Sequence, residues 1–570
     1  MSFSKNVESW LQGPIEQSMR DEILRLQKED PSELQSAFSE PLSFGTGGVR
    51  EKMGVGFGRL NRYTIRMATK GLSLYLKRFF KNPKVFISYD NRHHSREFAI
   101  EAAQVLAADG VKAYVTKELR PTPIVSFGVR QYGCSAGIMI TASHNPPEYN
   151  GYKVYWADGA QVVSPHDLGI VDEVKKITDP FAIALKDEFE WVDASFDKTF
   201  IEAILPYQFY RDENRRTGHE LKIIYSPLHG AGITLTPLAL KEAGFTTLSL
   251  VKQQSTPDGN FPNAPFPNPE ERNALQLGIE QMIKEEADLF LSNDPDADRI
   301  GCVVFHKSVP RQLNGNEMAL ILLYHILNSH EINKSLPKKG AVCTTIVTTS
   351  LLKIISEAFH QKCFEVLTGF KYIGEKIHEW EEGNQKYKFL FGAEESQGYL
   401  LGPYARDKDG VSANLLLAEI ALQLKKEGLT LIDLLHLIYE KYGLYRNVML
   451  SKNFEGVEGK KKMSEKMMQL RNHPPSKLSG VEVASIDDYL NQERLNLKEG
   501  TKEPLPLPKS DVIAFHLKDH NRFIFRPSGT EPKLKIYAQT QKEITKPIQK
   551  AIEEADLDLE KKVKKLIDEL

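Results

Sequence analysis

Short apolar runs alternate along the chain with amphipathic stretches, and polar or glycine-rich turns join them. Three such units are residues 85–89 with 96–108, residues 221–225 with 234–243, and residues 341–347 with 350–359. The β-branched apolar runs predict strands, and the amphipathic stretches predict helices. Strands that alternate with helices predict mixed or parallel sheets covered by helices, in successive α/β domains.

Polar segments between these units suggest where domains begin. The charged segment 210–218 is interpreted as a linker before a second domain, and the turn at 313–316 precedes a helical pattern at 317–327 that would open a third. The lysine run 460–462 is interpreted as a solvated helix face. A packed surface helix is expected at the C-terminal end, from helical spacing of Ile552, Leu559, Val563, Leu566 and Leu570.

Composition narrows the class of protein. The chain has 570 residues, 41% of them hydrophobic, and roughly 150 residues per domain predicts about three to five domains. A formal net charge of -2 leaves no general field for recruiting nucleic acid or a membrane surface, so neither is expected as a partner. Four dispersed cysteines without a Cys-x-x-Cys pair, and no signal-like or membrane-spanning stretch, predict a cytoplasmic protein with free thiols.

A serine in the segment TASHNP, residues 141–146, is the first candidate for covalent phosphate chemistry. The apolar run 137–140 precedes it, so Ser143 would present its hydroxyl at the end of a strand. Serine and asparagine before proline also mark ordinary turns. The interpretation of Ser143 as a catalytic serine therefore depends on the other motifs in the chain.

An acidic loop, DPDADR at 294–299, lies between two apolar runs. Asp294, Asp296 and Asp298 would repel one another in a tight loop, and a hard divalent cation relieves this by accepting an oxygen from each. A solvated acidic turn is the alternative. An EF-hand fits poorly, because Arg299 and Phe305 occupy its glycine and glutamate positions. Three ligands leave open coordination positions, which favours a catalytic magnesium site.

Two further loops carry polar groups after apolar runs. Residues 526–533, RPSGTEPK, offer an arginine, two hydroxyls and glycine amides that can surround a phosphate, although a hairpin turn would use the same residues. The segment lacks the Gly-Lys-Ser/Thr ending of a nucleotide phosphate loop. Residues 391–398, FGAEESQG, could contact sugar hydroxyls or cap a helix, and the sequence leaves both interpretations open.

Taken together and in this order, the motifs strongly resemble those of the α-D-phosphohexomutase superfamily. The resemblance covers residues from about 44 to 537, nearly the whole chain. The opening FGTGGVR at 44–50 and the chain length look most like the phosphoglucomutase branch that includes phosphopentomutase-type enzymes. The motifs are TASHNP at 141–146 with YNGYK at 149–153, DPDADR at 294–299, EES at 394–396 and RPSGTEP at 526–532.

The resemblance implies a fold and a division into domains. It implies an α/β enzyme with four domains around a central cleft, three with mixed α/β sheet cores and a smaller C-terminal α+β domain. The expected boundaries are 1–210 for a phosphoserine domain, 211–313 for a metal-binding domain, 314–445 for a sugar-binding domain and 446–570 for a phosphate-binding domain.

The resemblance also implies roles for individual residues. Ser143 would be the phosphoserine, and its phosphoryl oxygen would bind Mg²⁺ together with Asp294, Asp296 and Asp298. Arg50 and Arg299 would stabilise phosphoryl charge. The sugar would be bound by Gly369, Lys371, Glu394 and Ser396, and the phosphate that is not transferred by Arg526, Ser528, Gly529 and Thr530.

The proton donor and acceptor remain open. Lys153 matches the family's candidate, while His144 and Lys371 are rivals, and each has an alternative role in electrostatics or hydrogen bonding. Some phosphomannomutase-type relatives carry a histidine shortly after the sugar-loop serine. This chain has Gln397 and Gly398 there, which excludes a histidine acid at that place.

The implied activity is an isomerase reaction on small-molecule sugar phosphates. The leading hypothesis is interconversion of α-D-glucose 1-phosphate and glucose 6-phosphate, with glucose 1,6-bisphosphate as intermediate and activator. Main activity on mannose or pentose phosphates is the alternative within the class. A magnesium-dependent phosphatase and a non-catalytic sugar-phosphate sensor are the alternatives outside it. The sequence does not indicate an oligomeric state.

Overall fold

The computed structural model describes residues 3–40, 42, 48–454, 458–528 and 533–569. Contacts between Cα atoms divide the chain into two compact units. The first comprises Met1–Gly315 and Phe370–Leu431, and the second comprises Asn316–Gly369 and Ile432–Leu570. Among the described residues, no helix is both long enough and apolar enough to cross a bilayer.

Three short helices open the first unit and pack around Trp10, which is fully buried. Phe38, Phe57, Tyr63 and Phe181 surround its ring, edge-on, with centroids 5.4–5.9 Å away. Such edge-to-face contacts stabilise a small aromatic core beyond simple burial. The helices are α1 (Phe3–Gln12), α2 (Gln17–Glu29) and α3 (Pro31–Ser39).

A six-stranded mixed sheet follows, in the order β1-β5-β4-β2-β3-β6. β2, β3, β4 and β6 run parallel. At one edge β5 pairs antiparallel with β4, and β1 pairs antiparallel with β5. The strands and helices are β1 (Gly48–Lys52), α4 (Arg62–Phe79), β2 (Lys84–Tyr89), α5 (Ser95–Ala108), β3 (Lys112–Thr116), α6 (Pro123–Gln131), β4 (Ala136–Ile140), β5 (Tyr149–Trp156), α7 (His166–Lys175), β6 (Glu190–Val192) and α8 (Ser195–Ile204).

The next sheet has five strands in the order β11-β10-β9-β7-β8, with a parallel core of β7, β8 and β9. The segment expected to be a linker, 210–218, forms helix α9 instead. Buried Glu419 accepts hydrogen bonds there from the amides of Phe209 and Tyr210 and from Asn214 Nδ2. The elements are α9 (Arg211–Thr217), β7 (Ile223–Ser226), α10 (Thr236–Ala243), β8 (Leu248–Leu250), α11 (Arg272–Glu285), β9 (Leu289–Asn293), β10 (Ile300–His306) and β11 (Val309–Leu313).

The chain then alternates between the units. In the second unit β12 pairs with β13 in parallel, and in the first unit β14 pairs with β15 antiparallel. The elements are α12 (Gly315–Ile332), β12 (Gly340–Thr345), α13 (Leu351–Ala358), β13 (Lys362–Val366), α14 (Phe370–Glu382), β14 (Lys388–Glu394), β15 (Gly398–Leu400), α15 (Gly410–Lys426) and α16 (Leu431–Tyr442).

An antiparallel sheet in the order β16-β23-β22-β21-β18-β19-β20 completes the second unit, with β17 paired to β18. The lysine run 460–462 is exposed on α17, as predicted. Ile552, Leu559, Val563 and Leu566 are buried on α18, while Leu570 lies outside the described residues. The elements are β16 (Leu444–Asn453), α17 (Gly459–Asn472), β17 (Lys477–Leu478), β18 (Val481–Asp488), β19 (Glu493–Asn496), β20 (Thr501–Pro504), β21 (Ile513–Leu517), β22 (Arg522–Pro527), β23 (Lys533–Lys542) and α18 (Ile548–Glu569).

The predicted fold class is confirmed. Mixed sheets covered by helices make up the first three domains, and an antiparallel sheet with helices forms the C-terminal one. All three strand and helix pairs predicted from the hydrophobic pattern are present, as β2 with α5, β7 with α10 and β12 with α13. The four domain boundaries given above stay a prediction.

Candidate active site

Ser143 lies in a constrained turn just beyond β4, which ends at Ile140. Its backbone is left-handed, with φ +52°, and its amide donates to Thr141 Oγ1 at 2.8 Å. A non-glycine residue in this region is strained by about 1 kcal/mol or more, so its contacts must hold the turn. The Ser143 hydroxyl donates to Asp294 Oδ2 at 2.7 Å and lies 3.1 Å from His144 Nδ1.

The acidic loop joins β9 to β10, two antiparallel neighbours in the second sheet. Asp294, Asp296 and Asp298 are all buried, and one carboxylate oxygen from each lies within 4.8 Å of the others. Gly230 packs directly beneath this loop, since a Cβ there would lie 2.3 Å from Pro295 Cα. The loop can therefore approach its support only because residue 230 has no side chain.

The three carboxyl groups differ in their pKa. Burial raises the pKa of Asp294 well above its ordinary value, and the charges of Asp296 and Asp298 raise it further. Burial also acts to raise the pKa of Asp296, but the charge and hydrogen bond of Lys153 outweigh burial and lower that pKa. Burial and Asp296 also oppose ionisation of Asp298. The charges of Lys408 and Lys153 outweigh both and lower its pKa.

Two buried lysines balance part of this negative charge. Lys153 Nζ lies 2.8 Å from Asp296 Oδ2 and 3.1 Å from Asp298 Oδ2. Lys408 Nζ lies 3.2 Å from Asp298 Oδ2 and 4.0 Å from Glu394 Oε2. Burial disfavours both ammonium groups, but the carboxylates outweigh it and raise the pKa of each lysine. Both are therefore charged at neutral pH.

His144 has the opposite character. Burial lowers its pKa well below the ordinary value, and the nearby charges of Arg299 and Arg50 lower it further. The imidazole is therefore neutral at neutral pH. Arg50 is exposed on β1, opposite Gly151 of β5.

Arg299 ends the acidic loop and ties it to neighbouring groups. Its amide donates to Asp294 Oδ1 at 3.0 Å, and its guanidinium donates to Glu270 Oε1 at 3.4 Å. Burial disfavours its charge, but Glu270 and Asp298 outweigh burial and raise its pKa. The loop's single arginine thus stays protonated beside the carboxylates.

The segment with Glu394 and Ser396 forms a turn between β14 and β15. No helix follows it directly, so the helix-cap interpretation is wrong. The amide of Ile300 donates to Gln397 O at 3.1 Å, which places this turn beside the acidic loop. Glu394 is buried near Lys408, and Ser396 is half-buried.

Lys371 lies at the start of α14 in the first unit, with its ammonium 5.0 Å from the centre of the Tyr372 ring. Burial lowers the pKa of Lys371, against the charges of Asp167 and Glu375. Gly369, with φ +124°, belongs to the second unit.

The C-terminal phosphate-binding candidates belong to the second unit. Arg526 is on β22, and the Ser528 amide donates to Lys533 O at 2.8 Å across the hairpin. Gly529 and Thr530 lie outside the described residues.

The carboxylate cluster fits a divalent cation. Within the described part of the chain, Asp296 Oδ1 and Asp298 Oδ1 are buried and accept no hydrogen bond. A buried acceptor without a donor costs about 1–3 kcal/mol or more, and a bound cation would remove that cost. Hard oxygen ligands of this type suit Mg²⁺.

Lys408 is the main site residue that sequence reasoning missed. It lies in the segment RDKDG, 406–410, more than a hundred residues beyond the acidic loop. The signal that could have found it is this run of alternating charges directly before the apolar helix α15. Thr122 was also missed, and its hydroxyl donates to Asp296 Oδ2 at 2.7 Å.

Three family models match successive parts of the chain. They describe α/β/α domains I, II and III of phosphoglucomutase/phosphomannomutase and match residues 41–181, 198–307 and 314–442. All the site residues of the first unit named above fall within these three ranges.

Close relatives cover almost the full length. The phosphoglucomutase of Staphylococcus haemolyticus strain JCSC1435 is 37% identical over 509 residues, which cover 88% of this chain and 91% of the relative. The phosphoglucomutase of Staphylococcus aureus strain MRSA252 is 36% identical over 518 residues, which cover 90% and 92%.

Solved structures show the same fold at lower identity. Paramecium pp63/parafusin, a phosphoglucomutase in its open form, is 17% identical with a TM-score of 0.65, over 91% of this chain and 94% of that one. A phosphoglucomutase/phosphomannomutase family protein from Burkholderia thailandensis is 17% identical with a TM-score of 0.62, over 90% and 96%. On the family models and the near-full-length relatives together, the chain belongs to the phosphoglucomutase/phosphomannomutase family of the α-D-phosphohexomutase superfamily and is a phosphohexomutase-type enzyme.

Proposed function

We propose that this enzyme interconverts α-D-glucose 1-phosphate and glucose 6-phosphate through a phosphoserine at Ser143 and a glucose 1,6-bisphosphate intermediate. The observation that carries the proposal is the position of the Ser143 hydroxyl, 2.7 Å from Asp294 Oδ2 at the edge of the carboxylate cluster. Relatives at 36–37% identity that are named phosphoglucomutase support glucose as the sugar.

Asp294, Asp296 and Asp298 would hold Mg²⁺ together with a phosphoryl oxygen on Ser143. When bound, the ion would neutralise charge on the transferring phosphoryl group. The two unpartnered carboxylate oxygens described above support this assignment. Arg299 and Arg50 would add fixed positive charge around the same group.

In the transfer step, a sugar hydroxyl oxygen attacks phosphorus and the bond from phosphorus to Ser143 Oγ breaks. The hydroxyl proton must leave the sugar. Lys153 is already protonated and held by two carboxylates, so it suits stabilisation of negative charge or proton donation. Neutral His144 can accept a proton. Lys371 is the other rival for proton transfer, and burial lowers its pKa.

The bisphosphate must turn round so that its other phosphate faces Ser143. Glu394, Ser396, Gly369 and Lys371 would bind sugar hydroxyls. The C-terminal loop would hold whichever phosphate is not being transferred, through Arg526, Ser528, Gly529 and Thr530. A loop that must accept either end of the sugar suits a domain that moves during each catalytic cycle.

Replacement of Ser143 by alanine tests the nucleophile. Ser143→Ala should abolish turnover and should take up no phosphate from labelled glucose 1,6-bisphosphate, as measured by intact mass and radiolabel. Ser135→Ala is the matched control, because Ser135 is a buried serine just before the same strand, outside the site. Normal turnover by Ser143→Ala would contradict the assignment of Ser143 as the nucleophile.

The fate of the phosphate separates a mutase from a phosphatase. Label from the phosphoserine should remain on the sugar, and release to water would instead support a phosphatase. A comparison of glucose, mannose and ribose 1-phosphates should give the highest kcat/KM for glucose. A preference for mannose or ribose phosphate would assign the main activity to the alternative sugar.

The enzyme would act in the cytoplasm on small sugar phosphates. Cys134, Cys302 and Cys363 are free thiols in the structure, and the first two are buried. Free thiols are typical of a reducing compartment.

A further inference from the structure

We infer that Arg92 is a positioning residue that holds the Ser143 loop in its reactive conformation. The inference depends on the proposed role of Ser143 as the phosphorylated group. Arg92 lies between β2 and α5, outside the motifs discussed so far, and its side chain is fully buried. Burial of a guanidinium is costly unless its N–H groups donate hydrogen bonds. The groups that accept from Arg92 therefore indicate its role.

The guanidinium binds four backbone carbonyls of one short loop. Arg92 Nη1 donates to Pro146 O at 2.8 Å and to Tyr149 O at 2.9 Å. Arg92 Nη2 donates to Ser143 O at 2.5 Å and also to Asn145 O. The two terminal nitrogens carry four hydrogens between them, and each has one carbonyl to bind.

Neighbouring groups hold the guanidinium in place. Arg92 Nε lies 3.5 Å from Asp90 Oδ2. The backbone amide of Arg92 donates to Asp90 Oδ1 at 3.0 Å. The Phe261 ring lies 5.1 Å from the guanidinium carbon, at cation–π distance. An ion pair, a backbone hydrogen bond and an aromatic ring thus hold Arg92 beside the Ser143 loop.

The hydrogen bonds from Arg92 restrain the backbone of Ser143, the proposed nucleophile. The Ser143 amide is held by Thr141 and its carbonyl by Arg92, so both peptide groups around a left-handed residue are restrained. Four carbonyl oxygens that converge would repel one another without a cation between them. Arg92 supplies that cation, and the restrained turn directs the Ser143 hydroxyl toward Asp294.

The test compares Arg92→Ala with Arg120→Ala in the full-length enzyme. Arg120 is a similarly buried arginine in the same domain, but it binds the Asp197 carboxylate at 2.8 and 2.9 Å. Arg92→Ala should lower kcat about a hundredfold with little change in KM, because loss of the grip misplaces the nucleophile. Arg120→Ala should lower thermal stability and leave kcat largely intact.

Chemical rescue separates positioning from a general structural role. Millimolar guanidinium should restore part of the kcat of Arg92→Ala, whereas urea and sodium chloride at the same concentration should not. Unchanged kcat in Arg92→Ala would overturn the inference. So would a loss of kcat that guanidinium does not restore and that Arg120→Ala matches.

Two further measurements keep the inference testable. Hydrogen exchange of the peptide 143–149 should accelerate in Arg92→Ala and slow again with guanidinium, whether or not Ser143 is the nucleophile. An active Ser143→Ala enzyme would therefore reject the proposed function without deciding the loop contact. If Arg92→Ala does not fold, Arg92→Lys keeps the charge but offers three donors from one atom, and full turnover by that variant would overturn the inference.

Discussion

Two clusters of opposite charges, one in each compact unit and each built around buried carboxylates, differ in how completely those carboxylates are paired. In the C-terminal sheet, Asp487 accepts from Arg494 Nε at 2.5 Å, from Arg494 Nη2 at 2.7 Å and from His516 Nε2 at 2.9 Å. Both of its oxygens are occupied. In the first unit, three aspartates share two lysines and leave two buried oxygens without a donor among the described residues.

The difference agrees with a structural role for Asp487 and with the cation site proposed at the three aspartates. The pKa of Asp487 falls to about 2, because its hydrogen bonds from Arg494 and His516 outweigh the upward effect of burial. The pKa of Asp294 moves the other way, because burial and two neighbouring carboxylates oppose its charge. Carboxyl groups with strongly perturbed pKa values cluster at functional sites.

The largest effect is expected from removal of one charge in the aspartate cluster. Asp296→Asn should reduce kcat/KM roughly a hundredfold to a thousandfold, because a cation ligand contributes several kcal/mol to charge stabilisation in the transition state. Magnesium should also raise the thermal unfolding temperature of the parent enzyme and not that of the variant. Magnesium-dependent turnover equal to that of the parent would place the cation elsewhere.

Arg526→Ala tests whether a cation of the C-terminal sheet serves ligand binding rather than structure. It should raise KM about tenfold and leave the unfolding temperature unchanged, since a hydrogen bond to a charged group is worth about 1.5–3 kcal/mol. Arg522→Ala is the control on the same strand. Arg522 donates to Thr348 O at 3.1 Å, so its loss should lower stability instead. A collapsed unfolding transition for Arg526→Ala would make Arg526 structural.

Asp487→Asn should show the reverse pattern, a loss of stability without loss of turnover. The pKa of about 2 against the ordinary 3.8 corresponds to about 2 kcal/mol of unfolding free energy at neutral pH. Asp511 is a suitable control, because it pairs with Arg471 at the surface, with 46% of its side chain exposed. Asp511→Asn should cost less than about 1 kcal/mol. Equal losses for the two variants would contradict the assignment of Asp487 as a buried structural group.

The smallest effect is the dependence of stability on pH, which has opposite signs in the two clusters. The folded pKa of Asp487 is depressed, so its contribution is present above 3.8 and is lost as the pH falls toward about 2. The stability gap between the parent and Asp487→Asn should therefore close in acid. The folded pKa of Asp294 is raised, so its protonated form favours folding at low pH, and this contribution is lost as the pH rises. Thermal unfolding of Asp487→Asn and Asp294→Asn, measured without metal from about pH 2 to neutral pH, would reveal the two signs.

The sequence predicted the elements whose signal is local. The hydrophobic pattern predicted the strand before Ser143 and the two strands around the acidic loop, and both predictions are confirmed. The spacing of the aspartates predicted a cation site, and the structure brings their carboxylates together. The prediction of a linker at 210–218 was wrong, because charged residues and a glycine are typical of linkers and also occur at helix ends. The helix there is fixed by Glu419, two hundred residues away, and no local pattern carries that contact.

Arg92 and Lys408 show why the rest of the site could not be predicted from the sequence. The partners of Arg92 are backbone carbonyls, which every residue possesses, so no residue type in the loop indicates the contact. Lys408 reaches Asp298 from a distant segment past Gly398, where a Cβ would lie 2.0 Å from Lys408 Cδ. Only the folded chain brings these groups together.

The backbone angle at Ser143 also restricts which amino acid can serve there. Threonine carries the same hydroxyl and forms phosphate esters, but its branched Cβ is poorly tolerated at φ +52°. Cysteine and serine have a single γ atom and fit more easily. The shape of the turn, rather than the reactivity of the oxygen, thus disfavours threonine at position 143.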